Sequence, residues 1–388
     1  MLLEAMRYDS FLNQSLAELR EAGLLREPDD GAARNGVSLA ATQLGQRAID
    51  ASSNDYLGLG ARPVSRETVA HPGAGASRLI HGTAPEHLAL EAELTSWVGS
   101  DTSLLFASTY AANLGLVSAL AVRDSVLISD AANHASLIDG ARLGKAEIRV
   151  VPHLDLDGIR SALNERRGAR ACWVLTESYF SMDGDGPDLR ALRALCDDAD
   201  ACLIVDEAHA LGVFGPGGAG RCAEAGIRAD VLVGALGKAV GSHGGFVAGS
   251  VALRTFLWNK ARSFVFSTAL SPRHAQLTLE QVRATRAADA LRVRLASNAA
   301  WLRRRLSESG LAIVPGSFGP IVSLVIGDND RVLDVAARLR SKGILAQGIR
   351  PPTVPVGAAR LRLTVKATFG DEDLSRLARA VEDACRAS

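Results

Sequence analysis

The chain has 388 residues, 47% hydrophobic and 22% charged, with a formal net charge of zero, a composition that suits a globular protein of two or three packed units. Balanced charge offers no electrostatic footprint for nucleic acid or an anionic membrane. Five cysteines without close metal-ligand spacing read as free thiols of a reducing compartment, and with neither a signal-like N-terminus nor a membrane-length apolar run the expected location is cytoplasmic.

Residues Ser10 to Arg26 carry an apolar stripe (Phe11, Leu12, Leu16, Leu19, Ala22, Leu25) at helical spacing. Glu27 to Arg34 is rich in Pro, Asp and Gly and reads as a linker. SSNDYLGLG, Ser52 to Gly60, reads as a strand end and turn, and HPGAGASRLIH, His71 to His81, as a glycine-rich loop before a helix over Glu86 to Val98. From Leu104 onward strands and helices alternate: Leu104–Ala107, helix Ala111–Val122, Val126–Ser129, Glu147–Val151, helix Leu156–Arg166, Cys172–Thr176, helix Leu189–Asp197, Leu203–Val205. That order predicts an α/β fold with a mostly parallel sheet and helices on both faces. Such sheets bind ligands at their strand C-termini.

Candidate functional groups fall at those ends. Ser108-Thr109-Tyr110 leads into a helix N-terminus, which either binds a phosphate or is simply capped by Ser or Thr. His134 follows the next strand, and Glu177 to Asp183 (ESYFSMD) another. The densest stretch is Ile204 to Gly245, where one strand delivers Asp206 and His209 and a second, Asp230 to Leu236, stops at Gly237-Lys238. Lys238 is the one of five lysines in a glycine-rich, nearly uncharged context, where an amine is partly desolvated and nucleophilic. An acid, an imidazole and such an amine suit pyridoxal phosphate (PLP), whose ring nitrogen wants a carboxylate and whose aldehyde wants a lysine.

Beyond Gly249 a helix over Val251 to Ala261 and a strand over Phe264 to Ser267 are expected, then a long arginine-rich helix, Pro272 to Glu308, broken once. Strand, helix, strand and helix follow at Ile321–Ile326, Arg331–Lys342, Arg360–Val365 and Glu372–Cys385. The expected division is an N-terminal helical arm over 1–50, a large cofactor-binding domain over 51–285, and a small C-terminal α+β domain with its bridging helix over 286–388. Arg350-Pro351-Pro352-Thr353-Val354-Pro355 is a stiff extended segment. A rigid arginine there suits capture of a carboxylate.

The patterns DEAHxxGxxGxxGxG from Asp206 and GKAxGxxGG from Gly237 resemble the α-oxoamine synthases, fold-type I PLP enzymes that condense an amino acid with an acyl thioester. The resemblance runs from about Asn54 to Lys366. It implies Lys238, His134 and Asp206 as catalytic residues. It places Asp206, His209, Ser181, Ser108, Thr109, Tyr110, Glu177 and Thr268 around the cofactor, with Thr268 reaching across a homodimer interface. Substrate contacts would come from Arg26, His134, Arg350 and Thr353, and the RPPTVP run points to the branch that joins L-alanine to a pimeloyl thioester, on CoA or a carrier protein. A neighbouring branch using glycine or serine, a fold-type I aminotransferase and a PLP-fold subunit without catalysis are the rival readings. Two departures stand out. Thr109 replaces a usual glycine, and Ala235 replaces the usual threonine of Thr-x-Gly-Lys, whose hydroxyl binds the cofactor phosphate. Ser242 or Thr268 could supply the missing hydroxyl.

Overall fold

A computed structural model of the chain describes residues 9–26, 38, 40–63, 70–166 and 169–386; the linker read at Glu27–Arg34 lies outside them. The strands, in chain order, are β1 (Ile49–Asp50), β2 (Thr102–Phe106), β3 (Ser125–Asp130), β4 (Glu147–Val151), β5 (Ala171–Glu177), β6 (Cys202–Asp206), β7 (Val231–Ala235), β8 (Gly245–Gly249), β9 (Ile321–Gly327), β10 (Ile344–Leu345), β11 (Gln347–Ile349) and β12 (Ala359–Thr364). They divide between two compact units. One is Asn54–Ser297 with Lys366–Thr368; the other is Met1–Ser53, Asn298–Val365 and Phe369–Ser388.

The first unit is built on a seven-stranded sheet of order β2-β8-β7-β6-β5-β3-β4. β8 is antiparallel to both of its neighbours, and the remaining pairs are parallel. Strands β2 to β7 therefore all run the same way, and their C-terminal ends share one edge. The strand sequences read as continuous apolar runs because alternate residues are buried on opposite faces. Leu104, Phe106, Leu127, Leu175, Ile204, Val231, Val233 and Val247 pack with Leu116, Val117, Leu137, Leu257 and Phe264 on one face. Their strand neighbours point the other way: Val126, Ile128, Val174, Leu203 and Val205 meet Ile159, Leu163, Leu192 and Cys196, while Leu105, Leu232, Phe246 and Ala248 meet Leu90, Leu94, Ala275 and Val282. At about 1.5–3 kcal/mol per buried Val, Leu or Ile side chain, these two layers dominate the favourable terms in folding.

The sheet edge is braced from its far face by Glu207, which is fully buried. Its carboxylate accepts the Ser178 hydroxyl at 2.7 Å, the Arg221 N–H at 2.9 Å and the Cys222 N–H at 2.7 Å. The loop can close over that carboxylate only because position 220 has no side chain. Gly220 sits at φ +100°, and a Cβ there would lie 2.7 Å from Glu207 Oε2.

The segment Phe264–Ser267, expected as a strand, is not one. A short helix, Arg262–Val265, forms instead. The Ala261 carbonyl accepts the N–H groups of Phe264 and Val265 at 3.0 and 2.9 Å, and Phe264 buries its ring beside Phe106 and Trp258; local helical bonding and a core aromatic outweigh the apolar run. The arginine-rich stretch is two helices, Pro272–Arg286 and Asp289–Glu308. Arg292 donates to the carbonyls of Thr285 and Arg286 at 2.7 and 2.9 Å, so a cation caps the C-terminal end of the first helix.

The second unit carries an antiparallel sheet of order β11-β12-β9 and a parallel β1–β10 pair. Helices Asn329–Ser341 and Asp371–Arg386 pack on each other, burying Val332, Val335, Leu339, Leu377 and Val381.

Gly220→Ala should lower unfolding free energy by about 2 kcal/mol or more, since backbone strain adds to crowding against a buried carboxylate. Gly226→Ala, at φ +66° with open space around it, should cost only about 1 kcal/mol. Urea unfolding of the two variants checks the difference, and equal losses would remove the role given to Glu207.

Candidate active site

Asp206 ends β6 in phase with Ile204, so it faces the layer that contains the helix Thr109–Leu120, whereas Glu207 faces away. Asp206 is 2% exposed. Its Oδ1 accepts the Ala208 N–H at 2.8 Å and its Oδ2 accepts the Asn113 amide at 2.7 Å. The same amide nitrogen donates to Ser136 Oγ at 3.0 Å, and Ser136 Oγ lies 2.8 Å from His134 Nδ1. An acid on β6 and an imidazole beyond β3 are thus joined through two residues on helices.

Glu177 is the register partner of Asp206 on β5 and equally buried. Its Oε1 accepts the backbone N–H of His134 at 2.7 Å. Burial first, then the Asp206 charge, push the Glu177 carboxyl up to about 8, although Lys238 and the His134 N–H oppose them. Burial also lowers the pKa of His134, with Lys238 acting the same way and Asp206 and Asp139 acting against it. Lys238 follows β7 in a half-buried turn, and the charges of Glu177 and His134 both respond to it.

His209 is buried, and its Nδ1 lies 2.7 Å from the hydroxyl of Tyr56, a fully buried ring from the Ser52–Gly60 stretch read as a plain turn. Ser108 caps the helix Thr109–Leu120, its hydroxyl accepting the Ala111 N–H at 3.1 Å. That cap leaves the first-turn N–H groups of Thr109 and Tyr110 for an anion. Gly245, where β8 begins, would place a Cβ 2.5 Å from Thr109 N and Cα, so the helix start is pressed against the strand. Tyr110 donates its hydroxyl to Asp139 and stands edge-on to His134, ring centroids 6.4 Å apart. Ser181 lies half-buried in the turn after β5, and Thr268 is exposed beside its bridge partner Ser77. Ser242 Oγ is engaged with Thr278 Oγ1 at 2.7 Å and His274 Nε2 at 3.4 Å.

In the second unit Arg26 Nη2 donates to Thr353 Oγ1 at 3.4 Å and Arg350 Nη1 donates to the Gly23 carbonyl at 2.6 Å. These three expected substrate contacts come together with one another.

One cluster at the same sheet edge was not singled out by sequence. His153, after β4, pairs through Nδ1 with Asp130 at 2.9 Å and through Nε2 with Asp185 at 3.2 Å. Burial works against its charge, but the bonds to the two carboxylates outweigh it and hold the imidazolium to about pH 9. Asn113 and Ser136 were missed as well; an amide and a hydroxyl inside helical runs carry no motif that separates them from ordinary packing.

A carboxylate, an amine on the neighbouring strand end and an open helix N-terminus are the donor set that a protonated pyridine ring, an aldehyde and a phosphate need. The chain belongs to the aminotransferase class I and II family, which residues 47–381 match, and within it to the α-oxoamine synthases, fold-type I enzymes that use pyridoxal phosphate. It is 40% identical over 377 residues to an 8-amino-7-oxononanoate synthase of Geobacter sulfurreducens, covering 94% of this chain and 95% of that one. A protein of the same name from Anaeromyxobacter dehalogenans is 43% identical over 334 residues, 84% of this chain and 83% of its own. Among solved structures, a serine palmitoyltransferase of Sphingomonas wittichii superposes with a TM-score of 0.87 at 27% identity, over 98% of both chains. No described helix is long and apolar enough to cross a membrane.

His153 has a folded pKa above its unfolded value near 6.5, so its contribution to stability is complete below about pH 6.5 and is lost as pH rises through about 9. His153→Gln should therefore cost stability at pH 6 and much less at pH 9.5. Thermal melts of both proteins across that range check it; a constant difference would remove the ion triad as its cause.

Proposed function

We propose that the chain condenses L-alanine with a pimeloyl thioester, carried on CoA or a carrier protein, to give 8-amino-7-oxononanoate, CO2 and free thiol, the reaction its relatives' name implies in biotin synthesis. One observation carries the reading: Asp206 ends one strand of a parallel sheet edge, and His134 and Lys238 follow two others, in a chain 40% identical over nearly its full length to a synthase of that name. The expected setting is cytoplasmic, and the expected assembly is a homodimer.

PLP, when bound, supplies an electron sink for negative charge at the amino acid's Cα. Asp206 holds a proton on the ring nitrogen, because an adjacent carboxylate favours the charged ring. Lys238 would hold the cofactor's aldehyde and is the base proposed to take the amino acid's Cα proton. His209, oriented by Tyr56, is placed for the phenolic oxygen, and the helix start at Ser108, Thr109 and Tyr110 for the phosphate. Ser181 and Thr268 complete the cofactor contacts, with Thr268 serving the partner subunit's site. Glu177 acts by fixing the His134 backbone. Arg26, His134, Arg350 and Thr353 are the proposed substrate contacts, Arg26 toward the acyl chain and Arg350 toward a substrate carboxylate.

Thiol release from pimeloyl-CoA by the PLP-loaded protein, with L-alanine, glycine, L-serine and no amino acid compared, tests the reading. Release that requires L-alanine, with equal CO2, is expected. Release with serine instead would favour the reaction named for the structural relative, and release with none would overturn the condensation. Lys238→Ala should lower the rate by about 10²–10⁴-fold or more.

Ala235 carries no hydroxyl and that of Ser242 is bonded to Thr278, so neither would give a bound phosphate the family's threonine contact. Ala235→Thr should tighten PLP binding by about tenfold or more, the value of one hydrogen bond to a charged group; cofactor titration followed by absorbance measures it, and unchanged affinity would mean that another hydroxyl serves.

A further inference from the structure

The chain from Asp206 to His134 takes its direction from the groups whose roles are fixed, a carboxylate at one end and a backbone N–H at the other. A carboxylate oxygen only accepts, so the Asn113 atom 2.7 Å from Asp206 Oδ2 is the amide nitrogen. That nitrogen's other hydrogen goes to Ser136 Oγ at 3.0 Å. With its oxygen accepting from Asn113, the Ser136 hydroxyl has its own hydrogen free to donate to His134 Nδ1 at 2.8 Å. The backbone N–H of Ser136 also donates to His134 Nδ1, at 3.2 Å, because His134 is the N-cap of the helix Ala135–Leu143. Nδ1 thus faces an obligatory backbone donor and a hydroxyl with its hydrogen free, so a proton on Nδ1 would oppose the N–H and turn the hydroxyl away.

We propose that Asn113 and Ser136 are positioning residues that lock His134 as the Nε2–H tautomer, with Asp206 setting the direction of the relay. Nε2–H is then the ring's one donor, and a group of the amino-acid substrate that meets it must be an acceptor, as a carboxylate is. This last step rests on the proposed function; the tautomer does not. The charged and titratable groups around the imidazole act unequally: Lys238 disfavours its protonation, Asp206 and Asp139 favour it, and Tyr110 faces it edge-on with its hydroxyl turned to Asp139. Burial outweighs the two acids, which agrees with a ring kept neutral by the two donors at Nδ1.

Ring-nitrogen NMR of the ¹⁵N-histidine-labelled, PLP-loaded protein tests the relay, the His134 signal being identified by its loss in His134→Gln. Wild type should show a bare Nδ1 and a protonated Nε2. Ser136→Ala should raise the His134 midpoint by about half a unit to one unit, since a net hydrogen bond of about 0.5–1.5 kcal/mol is removed from the neutral form. Asn113→Ala should raise it less, and most of that effect should vanish in the Asn113→Ala/Ser136→Ala double variant, because the amide acts through the hydroxyl. A protonated Nδ1 in wild type, an unmoved midpoint in Ser136→Ala, or fully additive shifts would each overturn the relay. The resonances read the tautomer whether or not thiol is released, so failure of the condensation assay leaves this result separately legible. If both hold, the acid limb of the kcat/KM profile for L-alanine should move upward with the midpoint.

Discussion

Asp206 and Glu207 are adjacent in sequence and opposite in space, and the period of two that separates them organises the large unit. One strand end sends a carboxylate toward Asn113 and the next carboxylate into the bracing loop. Neither position tolerates exchange with the other, because a one-residue slip in β6 would turn both acids to the wrong face. The same alternation buries the sheet between two helical layers, which keeps the strand ends rigid enough to hold side chains at hydrogen-bond distances.

A parallel sheet also explains why residues so far apart in the chain meet. The ends of β2, β3, β5, β6 and β7 lie along one edge, so Ser108, His134, Glu177, Asp206 and Lys238 are neighbours by topology rather than by sequence. That crowding has an electrostatic consequence. Glu177 and Asp206 are register partners on adjacent strands, and two buried carboxylates so placed do not both ionise readily. The Asp206 carboxylate accepts the Ala208 N–H and the Asn113 amide, whereas Glu177 accepts the His134 N–H and takes the upward shift.

The legible part of the site was the part carried by backbone geometry. A strand end followed by glycines, such as the run from Gly212 to Gly220, announces itself because few other residues fit there. Strand and helix order was legible for the same kind of reason, since buried strands and amphipathic helices have different periods. β8 escaped notice because GFVAG has too few large side chains to read as a strand, yet it closes the sheet between β2 and β7. Phe264–Ser267 misled because an apolar run of three residues is equally a helical turn facing a core.

Asn113, Ser136 and Tyr56 show a different limit. Their roles come from partners 93, 23 and 153 residues away, and no local pattern encodes such a distance. What marks them in the structure is burial: Asn113 and Ser136 are each 1% exposed and Tyr56 is 0%. A buried amide or hydroxyl must spend its bonds on protein partners, and here those bonds run to Asp206, His134 and His209. Polar side chains inside the layer that would otherwise be purely apolar are thus the means by which the sheet's packing reaches the chemistry at its edge.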